Sequence, residues 1–173
     1  ANGFSKRNKI FAYNATLNTL GSLTPTFTNW VSNLALVKKT MGIAPQRVVP
    51  HLAPTTFRNW VKKNRKDKAT PLYPNGQVYL FCDEFTNFYD VGVGVDTYEL
   101  LTQLGYQVVI IDHQESGRAF ISKGFLEQAK AIATRNVAIF KDIVSAETPL
   151  IGIEPSAILT FRDEYLRLAE DKA

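Results

Sequence analysis

Five carboxylates and an imidazole fall in three short polar segments, Asp83-Glu84, Asp112-His113-Gln114-Glu115 and Glu154. Carboxylate oxygens and imidazole nitrogens are ligands for divalent cations. Asp83, Asp112, His113 and Glu115 therefore form a candidate metal set if the fold brings the segments together. The competing role is structural. An Asp or Glu at a helix start accepts free backbone N–H groups and complements the helix dipole, worth about 0.3–1 kcal/mol each. Hydrolytic chemistry is not supported. Ser116 and His113 lie three residues apart in one loop, and no third group is spaced to orient the histidine.

Weaker signals accompany this set. Glu115-Ser116-Gly117-Arg118 precedes a helical pattern, where free N–H groups and an arginine can hold an anion. One glycine and the neighbouring acids argue for a plain loop. Val91-Gly92-Val93-Gly94 lacks the third glycine and the directly preceding strand of a dinucleotide fingerprint. Cys82 ends an apolar run and reads as a small hydrophobe. Lys62, Lys63, Arg65, Lys66 and Lys68 follow Trp60. They read as a solvated linker or as a docking patch for an acidic neighbour. No nucleic-acid-binding motif accompanies them, and nucleic acid is not an expected partner.

The polar segments gain meaning from the elements around them. Gln77–Cys82, Gln107–Ile111 and Pro149–Ile153 are short apolar runs with strand character. A helix is expected from Asp96, capped there with Glu99 three residues on, burying Val95, Tyr98, Leu101 and Leu104 and stopped by Gly105. A long helix is expected over 122–143, with Phe125, Leu126, Ala129, Ile132, Ala133, Val137, Phe140 and Val144 on its apolar stripe. A last helix opens at Pro155 and buries Ile158, Phe161, Tyr165 and Leu168. The fold class is α/β: a small parallel sheet in Rossmann-like β-α-β-α-β-α order, because helical crossovers join parallel strands. Ligands of such sheets bind beyond the carboxyl ends of the strands, where all three acidic segments fall.

The first 68 residues differ. They carry twelve Lys or Arg against one acid, whereas residues 69–173 carry eight against fifteen, within a total of +4. Short helices are expected over 14–20, 29–37 and 57–63, the last capped by Thr56, with Pro25, Pro45, Pro50 and Pro54 breaking the rest. The expected organisation is a basic, helical and irregular segment over 1–68, a linker over 64–76 and an α/β domain over 77–173. At 45% hydrophobic the chain is no disordered polymer. Its one cysteine excludes an internal disulfide, a zinc ribbon and an all-cysteine iron–sulfur site. No apolar run reaches 18 residues, and Ala1–Arg7 lacks an apolar signal core.

Six blocks carry a family likeness: Gly42-Ile-Ala-Pro-Gln-Arg-Val-Val-Pro50, Thr56-Phe-Arg-Asn-Trp60, Phe81-Cys-Asp-Glu-Phe-Thr-Asn87, Leu104-Gly-Tyr-Gln-Val108, Ser116-Gly-Arg118 and Glu154-Pro-Ser-Ala-Ile-Leu-Thr-Phe-Arg-Asp-Glu-Tyr165. In these the chain resembles the C-terminal, cysteine-rich CCG-type domain of bacterial FAD-linked oxidoreductases with iron–sulfur domains. That family includes cytochrome-type D-lactate dehydrogenases and relatives of the glycolate oxidase iron–sulfur subunit. The resemblance places the family's Cys-Cys-Gly-Arg at Glu115-Ser116-Gly117-Arg118 and its Pro-Ser-Cys at Pro155-Ser156-Ala157. Its early cysteine falls near Glu84, with Cys82 two positions away. The thiol positions thus read Glu84, Glu115, Ser116 and Ala157, while Gly117, Arg118, Glu154, Ser156 and the Arg162-Asp-Glu-Tyr165 block survive.

The resemblance implies a domain that has lost its cluster and serves, without catalysis of its own, as a scaffold or docking part of an electron-transfer flavoprotein. Lys62, Lys63, Arg65 and Lys66 are the docking candidates. It implies FAD and iron–sulfur clusters in the full-length parent and none bound by this chain. The implied partners are upstream FAD and ferredoxin-like domains and an unidentified electron acceptor. The implied location is cytoplasmic, or peripheral at the inner face of a membrane. The alternative is a divalent-metal domain using the carboxylates and His113.

Overall fold

A computed structural model describes residues 3–64 and 73–170. Arg65, Lys66, Lys68 and most of the expected linker lie outside the described residues. The first part of the chain forms α1 (Lys6–Ala12), α2 (Asn14–Gly21), α3 (Pro25–Ser32), α4 (Ala35–Thr40) and α5 (Phe57–Asn64). Then come β1 (Gln77–Phe81), α6 (Glu84–Phe88), α7 (Val91–Gln103), β2 (Gln107–Val109), α8 (Arg118–Lys123), α9 (Leu126–Phe140), β3 (Leu150–Gly152), α10 (Pro155–Arg162) and α11 (Tyr165–Leu168).

The α/β class and the parallel sheet are as expected. The strand order is β2-β1-β3, with Gln77 opposite Gln107 and Tyr79 opposite Leu150. The sheet is small, so helices supply most of the burial. β1 is central, and Leu80, Phe81 and Cys82 at its end are almost wholly buried. Leu80 and Cys82 pack with Phe57, Val61 and Val91 on one side. Phe81 packs with Phe140 and Ala157 on the other. This alternation is the pleat of a strand covered on both faces.

Several boundaries differ from expectation, each for a local reason. Helix α7 begins at Val91, so Asp96 lies inside it and caps nothing. Of the two glycines in its first turn, Gly92 faces open space and Gly94 has a packing use. A Cβ on Gly94 would come within 2.9 Å of Phe57 and Thr86, so glycine lets α5 and α6 press onto α7. Leu104, placed on the buried face by spacing, is exposed, while Gly105 ends the helix at φ +83 as expected. The long helix over 122–143 is two helices. Gly124, at φ +79, ends α8 by donating to Ile121 and Phe120 carbonyls, and Leu126 at the new start is exposed. The last helix breaks at Asp163-Glu164. The expected helix over 29–37 breaks at Asn33-Leu34, and Pro25 opens α3 where it was expected to interrupt. Helices α1 and α6 were not expected.

The basic first segment is tied to the α/β part. Ala12 of α1 is fully buried against Phe120, Phe125 and Ala129. Phe57 and Val61 of α5 sit under β1 and α7. Arg58 donates to the Ile111 carbonyl, 3.0 Å away, and its backbone N–H bonds Asn87 Oδ1.

Candidate functional site

The turn after β1 starts the site. Asp83 is fully buried and caps α6, accepting from the Phe85 and Thr86 N–H groups at 2.9 Å and from the Thr86 hydroxyl at 2.7 Å. This is the helix-cap role. Burial raises its pKa, opposed by those three hydrogen bonds.

Glu84 points across to the loop after β2. Its Oε2 accepts the Ser116 N–H at 2.9 Å and its Oε1 accepts the Ser116 hydroxyl at 2.7 Å. Both oxygens act as acceptors, which an ionised carboxylate does best. Glu84 is 3% exposed, and burial pushes its pKa upward against the two Ser116 bonds. Ser116 Oγ also accepts the Arg118 N–H at 3.1 Å, so it starts α8 while holding Glu84. Gly117 adopts φ +71 at this tight start.

Two residues brace the loop from behind. Asn136 is fully buried in α9. Its Nδ2 donates to the Glu115 carbonyl (2.9 Å) and to the Tyr165 hydroxyl (3.0 Å), and its Oδ1 accepts the Gln114 N–H (3.0 Å). Tyr165 donates on to the Ser116 carbonyl at 2.8 Å. Burial raises the tyrosine's pKa, so it stays a donor. The Arg118 guanidinium meets Glu164 at the same edge. The side chain of Glu115 is the exception in this satisfied network. Its Oε2 is buried without a hydrogen-bond partner. Burial, and secondarily the charge of Glu84, pushes its pKa up to about 8.

His113 is a buried structural imidazole. Its Nε2 accepts the Cys82 N–H at 3.1 Å, which leaves Nδ1 as the donor to the Gln114 carbonyl at 2.6 Å. Burial, and then the charge of Arg58, holds its pKa down to about 4. Its ring stacks on Phe81 with centroids 4.2 Å apart. Cys82 is buried, with Sγ 3.6 Å from Asn87 Oδ1, and burial pushes its thiol up to about 12.

The metal arrangement does not form. Asp112 is fully exposed and lies 3.8 Å from Arg58. Asp83 is spent on a helix cap and both His113 nitrogens are engaged. Among the described residues no group of three or more His, Cys, Asp or Glu is placed to hold a metal ion. Glu154 caps α10, accepting the Ser156 N–H and hydroxyl at 3.1 and 2.7 Å. Ala157 is fully buried among apolar side chains. Lys62 and Lys63 are exposed in the last turn of α5, while Arg65 and Lys66 lie outside the described residues.

Of the thiol positions given by the resemblance, Glu84, Ser116 and Glu115 come together, with Glu84 bonded to Ser116 and Glu115 within electrostatic reach of Glu84, while Ala157 packs with Phe81 and Phe140. The donor set does not fit an iron–sulfur cluster, which takes thiolates. The one thiol is buried, protonated and turned to Asn87. Sequence reasoning missed Arg58, Asn87 and Asn136 as site residues. Asn136 left a signal, being polar on an otherwise apolar stripe between Ala133, Val137 and Phe140. Tyr165, placed by periodicity on a buried helix face and by the resemblance in a retained block, proves to be a hydrogen-bonding member of the network.

No protein-family model matches the chain, and no solved structure matches it. Among curated proteins it is similar to D-2-hydroxyglutarate dehydrogenases. With that of Escherichia coli it shares 33% identity over 96 residues, 55% of this chain and 9% of the relative. With that of Pantoea ananatis it shares 33% over 89 residues, 51% and 9%. With that of Haemophilus influenzae it shares 24% over 153 residues, 84% and 15%. The chain spans between 9% and 15% of the length of these relatives. No helix among the described residues is long and apolar enough to cross a membrane.

Proposed function

We propose that the chain is a non-catalytic scaffold and docking domain of an FAD-linked 2-hydroxyacid dehydrogenase, a CCG-type domain in which the hydrogen-bonded Glu84–Ser116 pair stands at two of the cluster-ligand positions. The substrate of such a parent is a D-2-hydroxy acid of the D-2-hydroxyglutarate kind. Its flavin, its iron–sulfur clusters and its electron acceptor belong to other parts of the assembly, in the cytoplasm or at the inner face of a membrane. Residues 77–173 form the α/β domain in this reading, and residues 1–68 are its basic adaptor.

The observation that carries the reading is the Glu84–Ser116 pair. Two hydrogen bonds close the turn after β1 onto the loop after β2, at positions where the resembling family has thiols. A protein crosslink across that edge does the holding that a bound cluster does elsewhere. The similarity to D-2-hydroxyglutarate dehydrogenases supports the parent class.

The test is a graft. This chain replaces the matching stretch of the E. coli D-2-hydroxyglutarate dehydrogenase, and oxidation of the hydroxy acid is followed with an artificial electron acceptor. Retained turnover, with iron and sulfide per chain no higher than in the enzyme lacking the stretch, is the expected result. Stoichiometric iron and sulfide in the anaerobically purified isolated chain refutes the lost-cluster reading.

A further inference from the structure

The first helices are built inside out. In α2 the buried residues are Ala15 and Asn18, while Leu17 and Leu20 face outward. In α3, Asn29 turns inward, its Nδ2 donating to the Leu52 carbonyl and its Oδ1 accepting the Leu52 N–H. Asn33 does the same with Val49. Phe27 and Trp30 are left outside, 62% exposed each, with ring centroids 6.0 Å apart. Leu23, in the turn between α2 and α3, is 79% exposed, and Leu36 of α4 is 74% exposed. A helix facing water normally shows the reverse pattern.

Charge sharpens the contrast. From Ile10 to Val37 the sequence has no Asp, Glu, Lys, Arg or His. The flanks carry exposed Lys6, Arg7, Lys9, Lys39 and Arg47, and the first acid of the chain is Asp67. A charge-free patch rich in Leu, Phe and Trp inside a charged rim is the anatomy of a protein interface.

We propose that the outward face of α2, α3 and α4 docks onto an apolar protein surface rimmed with carboxylates, within the large oxidoreductase proposed above. This rests on that reading for the partner's setting. Three observations select the occupant. The segments flanking the patch carry Lys and Arg and no acid before Asp67, so a second copy would bring like charges together, and an acidic partner matches them. The relatives have most of their length outside the matched stretch, ample for such a surface. The polar sides of α2 and α3 carry Asn, Ser and Thr and no Lys or Arg, unlike a helix that lies in an anionic lipid surface.

Photocrosslinking tests this. In the full-length graft described above, Leu23 or Trp30 is replaced by p-benzoylphenylalanine, the protein is irradiated and the crosslinked peptides are mapped. Crosslinks to a segment of the same polypeptide outside the graft, flanked by Asp or Glu, are expected. Serine at Leu20 and Phe27 lowers their yield about tenfold or more, as loss of interface anchors does. Crosslinks to a second copy, or none at all, overturn the proposal. The isolated chain provides an independent arm. Leu20 and Phe27 are each 62% exposed, so Leu20→Ser with Phe27→Ser leaves the melting temperature unchanged. If the unaltered chain dimerises through this face in sedimentation, or binds phosphatidylglycerol vesicles and the serine variant does not, the proposal also fails. Turnover of the graft reports separately on the family reading, so the two failures are distinguishable.

Discussion

Glu84 takes both the N–H and the hydroxyl of Ser116, at 2.9 and 2.7 Å, across 32 residues of chain. The pair joins the turn after the central strand to the loop after its neighbour. A buried carboxylate held this way is costly to disturb, because whichever partner remains is left without its bond. Replacing Ser116 by Ala removes one of the two bonds and the acceptor of the Arg118 N–H. Urea unfolding is expected to show a loss of about 2 kcal/mol. Glu84→Ala, which strips both bonds, is expected to cost more than Ser116→Ala. Equal stability of Ser116→Ala and the unaltered chain contradicts the bridge.

Glu115 makes the fold sensitive to alkali. Its folded pKa of about 8 stands above the ordinary 4.5. The folded chain therefore binds a proton that the unfolded chain releases. The contribution is complete below pH 4.5, declines as pH rises and is fully lost above pH 8. The span corresponds to roughly 5 kcal/mol. Glu115→Gln cannot ionise. The stability difference between the two proteins, measured by denaturant titration from pH 4 to 9, is expected to shift steadily in favour of the glutamine variant up to about pH 8. A pH-independent difference refutes the assignment.

Asn136 serves three partners at once, the Gln114 N–H, the Glu115 carbonyl and the Tyr165 hydroxyl. Asn136→Leu is close in volume yet leaves all three short of a partner, for an expected loss of about 3 kcal/mol. Tyr165→Phe removes the hydroxyl that joins Asn136 to Ser116 and is expected to cost about 1 kcal/mol. The double variant is expected to lose less than the sum, since the two share a bond. Full additivity in thermal unfolding tells against a single network.

His113 and Cys82 are expected to be chemically silent. The imidazole pKa lies near 4, below its ordinary 6.5. The unfolded chain then binds the proton first, so this residue's contribution to stability is present above pH 6.5 and is lost as pH falls to about 4. Nitrogen chemical shifts should show the Nδ1–H tautomer unchanged from pH 8 to 5. The Cys82 thiol, pushed up to about 12 and buried, should react with a thiol reagent only as fast as the chain opens. Rapid stoichiometric labelling at pH 7.5 contradicts its burial.

The candidate site was partly legible from residue order. Strand runs ending in Asp83-Glu84, Asp112–Glu115 and Glu154 placed every acidic segment at one sheet edge, because parallel strands share their carboxyl ends. What each acid does there was not legible. Asp83 and Asp112 look alike in sequence, yet one is a buried helix cap and the other is fully exposed.

Short-range patterns in the sequence determined the α/β class, the three strands, the stop at Gly105 and the basic character of the first segment. Those features depend on side-chain period, backbone freedom and charge, which adjacent residues set among themselves. Tertiary structure alone decided that Glu84 meets Ser116, that Asn136 braces their loop, that Gly94 accommodates Phe57 and that the helices over 14–40 turn their leucines and tryptophan outward. These relationships join residues distant in the chain, and their geometry follows from how the helices pack around the sheet.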